Sequence, residues 1–312
     1  MKKKINISLI GGAMAVAAIC TFNACKTTKT TTAAKNGYPS FYTVGHRGTR
    51  GLMPENTIPA MYRGLTEGAN TIEFDVHITK DGQVMVYHDA SFTPSYTTMP
   101  DGKDIPAEKH TDYVFYQMNY ADIRPFIIGE KPYPAYPEQQ RMRSYAPLLS
   151  EMIDSVEAYT KAHHLPAPYY LLEIKSSEKT DGKEQPAPEE YMDKLMAVKQ
   201  LQPLGKRLLV QSFDMRPLQV LHRRYPDMAL GFLTADKKNG FDQHLAQLGF
   251  TPFFYNPYYK LVTPELVSKC HAKHIKIVPW TVDDVNEMKK LKALDVDGII
   301  TDYPNRLREA GL

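Results

Sequence analysis

Three carboxylates sit where burial should exclude them: Glu73 and Asp75 in "TIEFDVHIT" (71–79) and Glu173 in "YYLLEIK" (169–175). Residues i and i+2 of a strand share a face, so Glu73 and Asp75 point one way while Ile72, Phe74 and Val76 point the other. Glu173 and Lys175 repeat the device against Leu172 and Ile174. Carboxylates converging from two strands repel one another unless positive charge lies among them. A hard divalent cation, Mg²⁺ or Ca²⁺, with Glu73, Asp75 and Glu173 as oxygen ligands is the economical answer. A salt-bridge cluster satisfied by Arg47 and Lys175 alone is the other reading. His46, beside Arg47, and His88, beside Asp89, bracket the first acidic run. Imidazoles can take and give protons within one cycle near neutral pH. Arg47 and Lys175 can hold a phosphate, the arginine bidentately. A cation, two histidines and two basic side chains together describe phosphodiester cleavage.

These groups need a frame that brings strand ends to one place. From residue 41 onward, short apolar runs alternate with helical patterns. "FYTVGH" leads into the helix candidate "TIPAMYRGLTEG", and "TIEFDVHIT" and "QVMVYHD" flank the turn "KDG". "PLLSEMIDSVEAYTKAHH" has Leu148, Leu149, Met152, Ile153 and Val156 on one helical face. Then come "YYLLEIK", a helix near 188–202, "RLLVQSF", a helix near 216–225, "ALGFLT" and a helix near 240–248. "PFFYNP", a helix at 264–273, "IKIVPWTV", a helix at 283–293 and "DGIITDYP" complete the series. Taking "TIEFDVHIT" and "QVMVYHD" as one unit, the alternation predicts a parallel sheet closed as a (β/α)8 TIM barrel, with an open doubly wound sheet as the alternative. Residues 90–146, rich in Pro, Tyr and Asp, break the rhythm as an insertion after the second strand unit. At that place it reads as a lobe shaping the substrate site. Its tyrosines suit either stacking on a sugar or packing the lobe on the barrel.

Of 312 residues 43% are hydrophobic, ample for one large core. The formal charge of +3 comes from the first 24 residues, whose three lysines meet no acid; the remainder balances at 35 basic and 35 acidic residues. That balance gives no argument for nucleic acid as a partner, and no protein partner is expected. "MKKK", the apolar "INISLIGGAMAVAAIC" and "FNAC" predict a lipoprotein signal peptide over 1–24, with Cys25 lipidated. Phe22 departs from the aliphatic residue usual three places before such a cysteine, and a simple secretory signal would export the chain equally. Polar residues 25–40 read as a flexible tether, leaving 41–312 as the barrel domain. The expected location is that of an exported bacterial lipoprotein, membrane-anchored through Cys25 and facing the periplasm or cell exterior. Cys20 leaves with the signal and Cys270 stands alone, so no disulfide is expected.

The chain resembles the glycerophosphodiester phosphodiesterases. It carries "GHRG", "PENT" (54–57), "IEFDVHITKDGQVMVYHD" (72–89), "LLEIK" (171–175), "QSF" (211–213), "VPWTVDD" (278–284) and "DGIITDYP" (297–304), in family order over nearly the whole domain. The resemblance implies a (β/α)8 barrel that hydrolyses small-molecule glycerophosphodiesters to sn-glycerol 3-phosphate and an alcohol with Ca²⁺ or Mg²⁺. It implies His46 and His88 as the catalytic acid/base pair and Glu73, Asp75 and Glu173 as metal ligands. Arg47 and Lys175 would lie on the phosphate, and Trp280 at the mouth of the site, a core place in its strand being its other reading. Glu55 would support the site, and Asn56 and Thr57 would cap the next helix. The stretch after His88–Asp89 and "APLL" (146–149) depart from the family pattern, which bears on the leaving alcohol rather than on the chemistry. A phospholipase acting on intact lipids and a non-catalytic barrel binding a phosphoryl ligand are the rival readings; the intact set of histidines and carboxylates argues against the second.

Overall fold

The computed structural model describes residues 37–312, so the expected signal peptide, Cys25 and most of the tether lie outside the described residues. The strands are β1 (Tyr42–Gly45), β2 (Thr71–Ile78), β3 (Val84–Val86), β4 (Thr97–Thr98), β5 (Ile127–Ile128), β6 (Tyr169–Ile174), β7 (Leu208–Ser212), β8 (Ala229–Thr234), β9 (Phe254–Pro257), β10 (Lys276–Ile277) and β11 (Gly298–Thr301). Eight of them form a parallel sheet in the order β10-β9-β8-β7-β6-β2-β1-β11. Backbone hydrogen bonds from Asp297 N to Ile277 O (2.9 Å), Ile300 N to Pro279 O (3.0 Å) and Val282 N to Ile300 O (2.9 Å) join the two ends. The result is the expected TIM barrel, nearly closed. The strand expected over 275–282 shrinks to two residues because Pro279 has no N–H to give the ladder.

Helices follow the strands: α1 (Ile58–Thr66), α2 (Tyr120–Ile123), α3 (Leu149–Ala162), α4 (Pro188–Met196), α5 (Met215–Arg224), α6 (Phe241–Leu248), α7 (Pro264–Ala272), α8 (Val285–Ala293) and α9 (Pro304–Glu309). The outward faces of the strands pack under them. Ile72, Phe74 and Val76 of β2 join Met61 of α1 and Met152 and Val156 of α3 in one core. The barrel interior holds a second core of Tyr42, Val44, Leu171, Leu209, Ala229, Phe254, Val278 and Ile300. Two residues farther along the strands, the same inward face becomes His46, Glu173, Gln211, Asn256, Trp280 and Asp302, with Gly231 in β8. The period of two thus lays a polar layer directly on an apolar plug. None of the helices described is long and apolar enough to cross a membrane.

β2 and β3 form an antiparallel hairpin, with His77 opposite Met85, which carries the chain back past the end of β2 to His88. Residues 90–146 then build a lobe with its own core of Tyr87, Phe92, Tyr96, Phe115, Ile123 and Phe126 among others, against which Tyr113, Tyr120 and Tyr133 pack. Residues 37–40, within the expected tether, are also placed. The Tyr38 ring packs 4.6 Å from that of Phe253, so ordered packing begins before residue 41.

The loop from β1 to α1 must pass close to the helix it feeds. A Cβ on Gly64 would come 2.3 Å from the carbonyl oxygen of Gly48, and Gly48 itself has φ +84° against the Ala60 backbone. Gly64→Ala is therefore expected to cost about 1–3 kcal/mol in urea denaturation, the range for overpacking a tight contact. Unchanged stability would show that the loop can retreat.

Candidate active site

His46 and Arg47 lie just beyond β1, on a loop whose backbone is fixed from below. Arg47 N donates to Glu73 Oε2 (2.8 Å) and Gly48 N to the Glu73 carbonyl (2.9 Å). Arg47 adopts φ +50°, a left-handed conformation uncommon for a residue with a side chain. That turn sends its guanidinium inward, where Nη1 donates to Glu55 Oε1 (2.6 Å) and Nε lies 3.7 Å from Asp75 Oδ2. Glu73, Asp75 and Glu173 are buried and offer ligand atoms within 4.8 Å of one another. Lys175 Nζ lies 3.0 Å from Asp75 Oδ1 and 2.5 Å from Glu173 Oε1.

Charge in this layer is not balanced by side chains. Five carboxylates (Glu55, Glu73, Asp75, Glu173 and Asp302) face three cations (Arg47, Arg50 and Lys175), a deficit that one divalent ion would offset. Burial, with Asp75 and Glu173 alongside, pushes Glu73 well above the usual carboxylate range, and burial with Asp75 raises Glu173 against the pull of Lys175. Burial acts on Asp75 in the same sense, but Lys175, His88 and Arg47 outweigh it and hold Asp75 well below the usual range. Asp75 Oδ1 and Glu173 Oε1 are buried without a hydrogen-bonding partner of good geometry and have only the Lys175 ammonium beside them. An all-oxygen set of this kind fits Mg²⁺ or Ca²⁺. The salt-bridge reading is present too, since Lys175 already spans two of the ligands; it leaves Glu73 unneutralised.

Both histidines are locked at Nδ1, which leaves Nε2 for other work. His46 Nδ1 donates to Asp302 Oδ1 (2.6 Å), and its Nε2 is 4.0 Å from Glu73 Oε2. Burial pushes His46 down to about 4, with Asp302 opposing. Asp302 is itself gripped by Arg50 through Nε (3.1 Å) and Nη2 (2.9 Å). His88 Nδ1 pairs with Asp89 Oδ1 (2.7 Å), and Asp89 Oδ2 accepts from Thr93 Oγ1 (2.5 Å). His77 donates from Nε2 to the His88 carbonyl (3.0 Å), so it props the hairpin rather than facing substrate.

One cavity of about 490 Å³, counted out to open solvent, takes in His46, Arg47, Arg50, Glu73, His88 and Glu173, together with Lys175, Gln211, Phe213 and Trp280. Trp280 donates from Nε1 to the Asn256 carbonyl (2.8 Å) and meets Phe213 edge-on at 5.3 Å. It lines this cavity, while Asp75 is not among the lining residues. Gln211 links the layers, donating to Glu73 Oε1 (3.5 Å) and accepting from Asn256 Nδ2 (2.8 Å). Asn56 corrects one expectation. Thr57 caps α1, accepting from Ala60 N, whereas Asn56 spends its amide on Asp75 Oδ2 (2.7 Å). Asp302 and Arg50 were missed as site residues. "DYP" gave no local sign that its aspartate meets a histidine 256 residues earlier.

Residues 46–306 match the model of the glycerophosphoryl diester phosphodiesterase family. The chain belongs to that family. A glycerophosphodiester phosphodiesterase of Bacillus altitudinis is 30% identical over 261 residues, covering 84% of this chain and 94% of that one. A solved structure from Silicibacter pomeroyi DSS-3, assigned to the same enzymes, superposes with a TM-score of 0.76 at 30% identity, over 88% of this chain and 96% of that one. An Oleispira antarctica phosphodiesterase in complex with the product sn-glycerol-3-phosphate shares the fold, with a TM-score of 0.65 at 22% identity over 86% of this chain and 95% of that one. The glycerophosphodiester phosphodiesterase fold thus frames the cavity and its polar layer.

Proposed function

We propose that this enzyme hydrolyses glycerophosphodiesters to sn-glycerol 3-phosphate and an alcohol, using a divalent cation held by Glu73, Asp75 and Glu173. The observation that carries the reading is one cavity lined by two imidazoles locked at Nδ1 and by Glu73 and Glu173, to which Asp75 adds a third carboxylate with ligand atoms all within 4.8 Å of one another. The product-bound Oleispira relative supports the choice of glycerol phosphate. When bound, the cation would draw the non-bridging phosphate oxygens and offset charge developing in the transition state. Arg47 and Lys175 orient the phosphate. His46 is the base: neutral at pH 7, with its proton on Nδ1 toward Asp302, it accepts a proton at Nε2 from water, or from the glycerol 2-hydroxyl to give a cyclic phosphate that water then opens. His88, more exposed and backed by Asp89, delivers a proton to the departing alkoxide.

Purified protein, assayed with glycerophosphodiesters of choline, ethanolamine, glycerol and inositol, is expected to release sn-glycerol 3-phosphate from at least one. Turnover of intact phospholipids with none of these diesters would instead favour the phospholipase reading. We further propose export and lipid anchoring through Cys25, on the strength of the charged, apolar and small-residue order of residues 1–25. Cys25→Ala is then expected to leave the membrane fraction on centrifugation, and an unchanged membrane share would refute the anchor.

A further inference from the structure

Among the described residues of 90–146 none lines this cavity, although the lobe grows from the hairpin that carries His88. Its tyrosines go elsewhere. Tyr96 is buried in the lobe core between Tyr87 and Tyr133, with ring centroids 6.0 and 5.2 Å away. Its hydroxyl nevertheless leaves that core and donates to Glu55 Oε1 (3.2 Å). The same oxygen accepts from Arg47 Nη1 at 2.6 Å. Glu55 is buried, and its other oxygen has no hydrogen bond, only Arg50 Nε at 3.8 Å. Nearby the lobe is bolted to the loop that bears both arginines. Gln139 Nε2 donates to the Arg50 carbonyl (2.7 Å), Gln140 N to the Leu52 carbonyl (2.8 Å), and the Tyr136 ring lies 4.7 Å from the Arg50 guanidinium.

Resting on the reading of Arg47 as a phosphate contact, we infer that Tyr96 is a positioning residue: through Glu55 it holds the Arg47 guanidinium ready for the phosphate. The physics is a choice between two anions. Arg47 stands between Glu55 and Asp75, with Nε already 3.7 Å from Asp75. An arginine swung fully onto Asp75 would neutralise a ligand of the cation and turn its fork from the cavity. Tyr96 fixes the orientation of Glu55, a buried carboxylate fixes the arginine, and the rotamer entropy of that long side chain is spent before substrate arrives. The lobe therefore serves phosphate affinity.

The test is a double-mutant cycle on the full enzyme: wild type, Tyr96→Phe, Arg47→Lys and the pair. Two readouts are taken, KM against kcat for glycerophosphocholine, and the affinity for inorganic phosphate by calorimetry. Tyr96→Phe is expected to weaken phosphate and raise KM about tenfold, the scale of a hydrogen bond to a charged group, with a smaller change in kcat. In the Arg47→Lys background the same substitution is expected to change either quantity less than twofold. Equal losses in both backgrounds, or no loss in the first, would overturn the inference. Should Tyr96→Phe fold poorly, Glu55→Gln in the same cycle gives the same comparison. Wild type that turns over no glycerophosphodiester would fault the functional reading; the calorimetric cycle needs no turnover and judges the positioning separately.

Discussion

His46→Ala is expected to lower kcat by roughly 10²–10⁴-fold while leaving the melting temperature nearly unchanged, and His88→Ala likewise, as for a positioned acid or base. Stability should hold because each imidazole faces the cavity and its carboxylate keeps a second partner. Asp302 remains in the grip of Arg50, and Asp89 in that of Thr93. The two variants differ in one respect. Removing His46 takes away the group that is neutral and proton-accepting at pH 7, so the acidic limb of the pH–rate profile should go with it. His77 is the internal comparison. It shares the strand face of Glu73 and Asp75 but bonds only the His88 carbonyl, and its loss should cost less. Stopped assays under saturating substrate measure all three. A near-normal kcat in either catalytic variant would reassign that histidine to structure.

Chelation is expected to act on the folded state as well as on turnover. With three buried carboxylates converging and the side chains two charges short of balance, EDTA should abolish activity and Mg²⁺ or Ca²⁺ restore it. Independently of catalysis, the cation at a hundredfold excess over its Kd should raise the melting temperature by on the order of 5–10 °C, the linkage expected for a ligand that binds only the native protein. Glu73→Gln removes a ligand charge without changing shape, so both the thermal shift and kcat should fall together. Full activity after exhaustive chelation, with a melting temperature indifferent to the cation, would sink the metal assignment.

Strand periodicity made one part of the site legible in the sequence. In β2 and β6 alternate residues divide into apolar and charged sets, and a period of two allows one arrangement once the apolar set is buried. Glu73, Asp75, Glu173, Lys175 and the histidines at strand ends could therefore be read directly. Partners contributed by distant strands could not. Asp302 completes His46, Gln211 and Asn256 brace Glu73, and only the tertiary order of the strands brings them near. Arg50 and Tyr96 were hidden for another reason. Their roles depend on how the lobe folds, and its two-residue strands and 3₁₀ turns leave no repeat to read. Asn56 misled because a polar residue before a helix has a local use, capping, and nothing local shows that Asp75 claims it instead.

The pairing of His46 with Asp302 has a consequence for how the enzyme comes into being. The first strand of the barrel leads to the imidazole proposed as the base and the last strand to the carboxylate that orients it, across 256 residues of chain. Loop-closure entropy makes such a contact among the latest to be rewarded during folding. A nascent or truncated chain lacking β11 has its carboxylates and both imidazoles, yet His46 is free to rotate and to carry its proton on either nitrogen. On the proposed mechanism, hydrolytic power arrives with the final strand and not gradually, so that partly folded chains have little means of acting on phosphodiesters they meet before the barrel shuts.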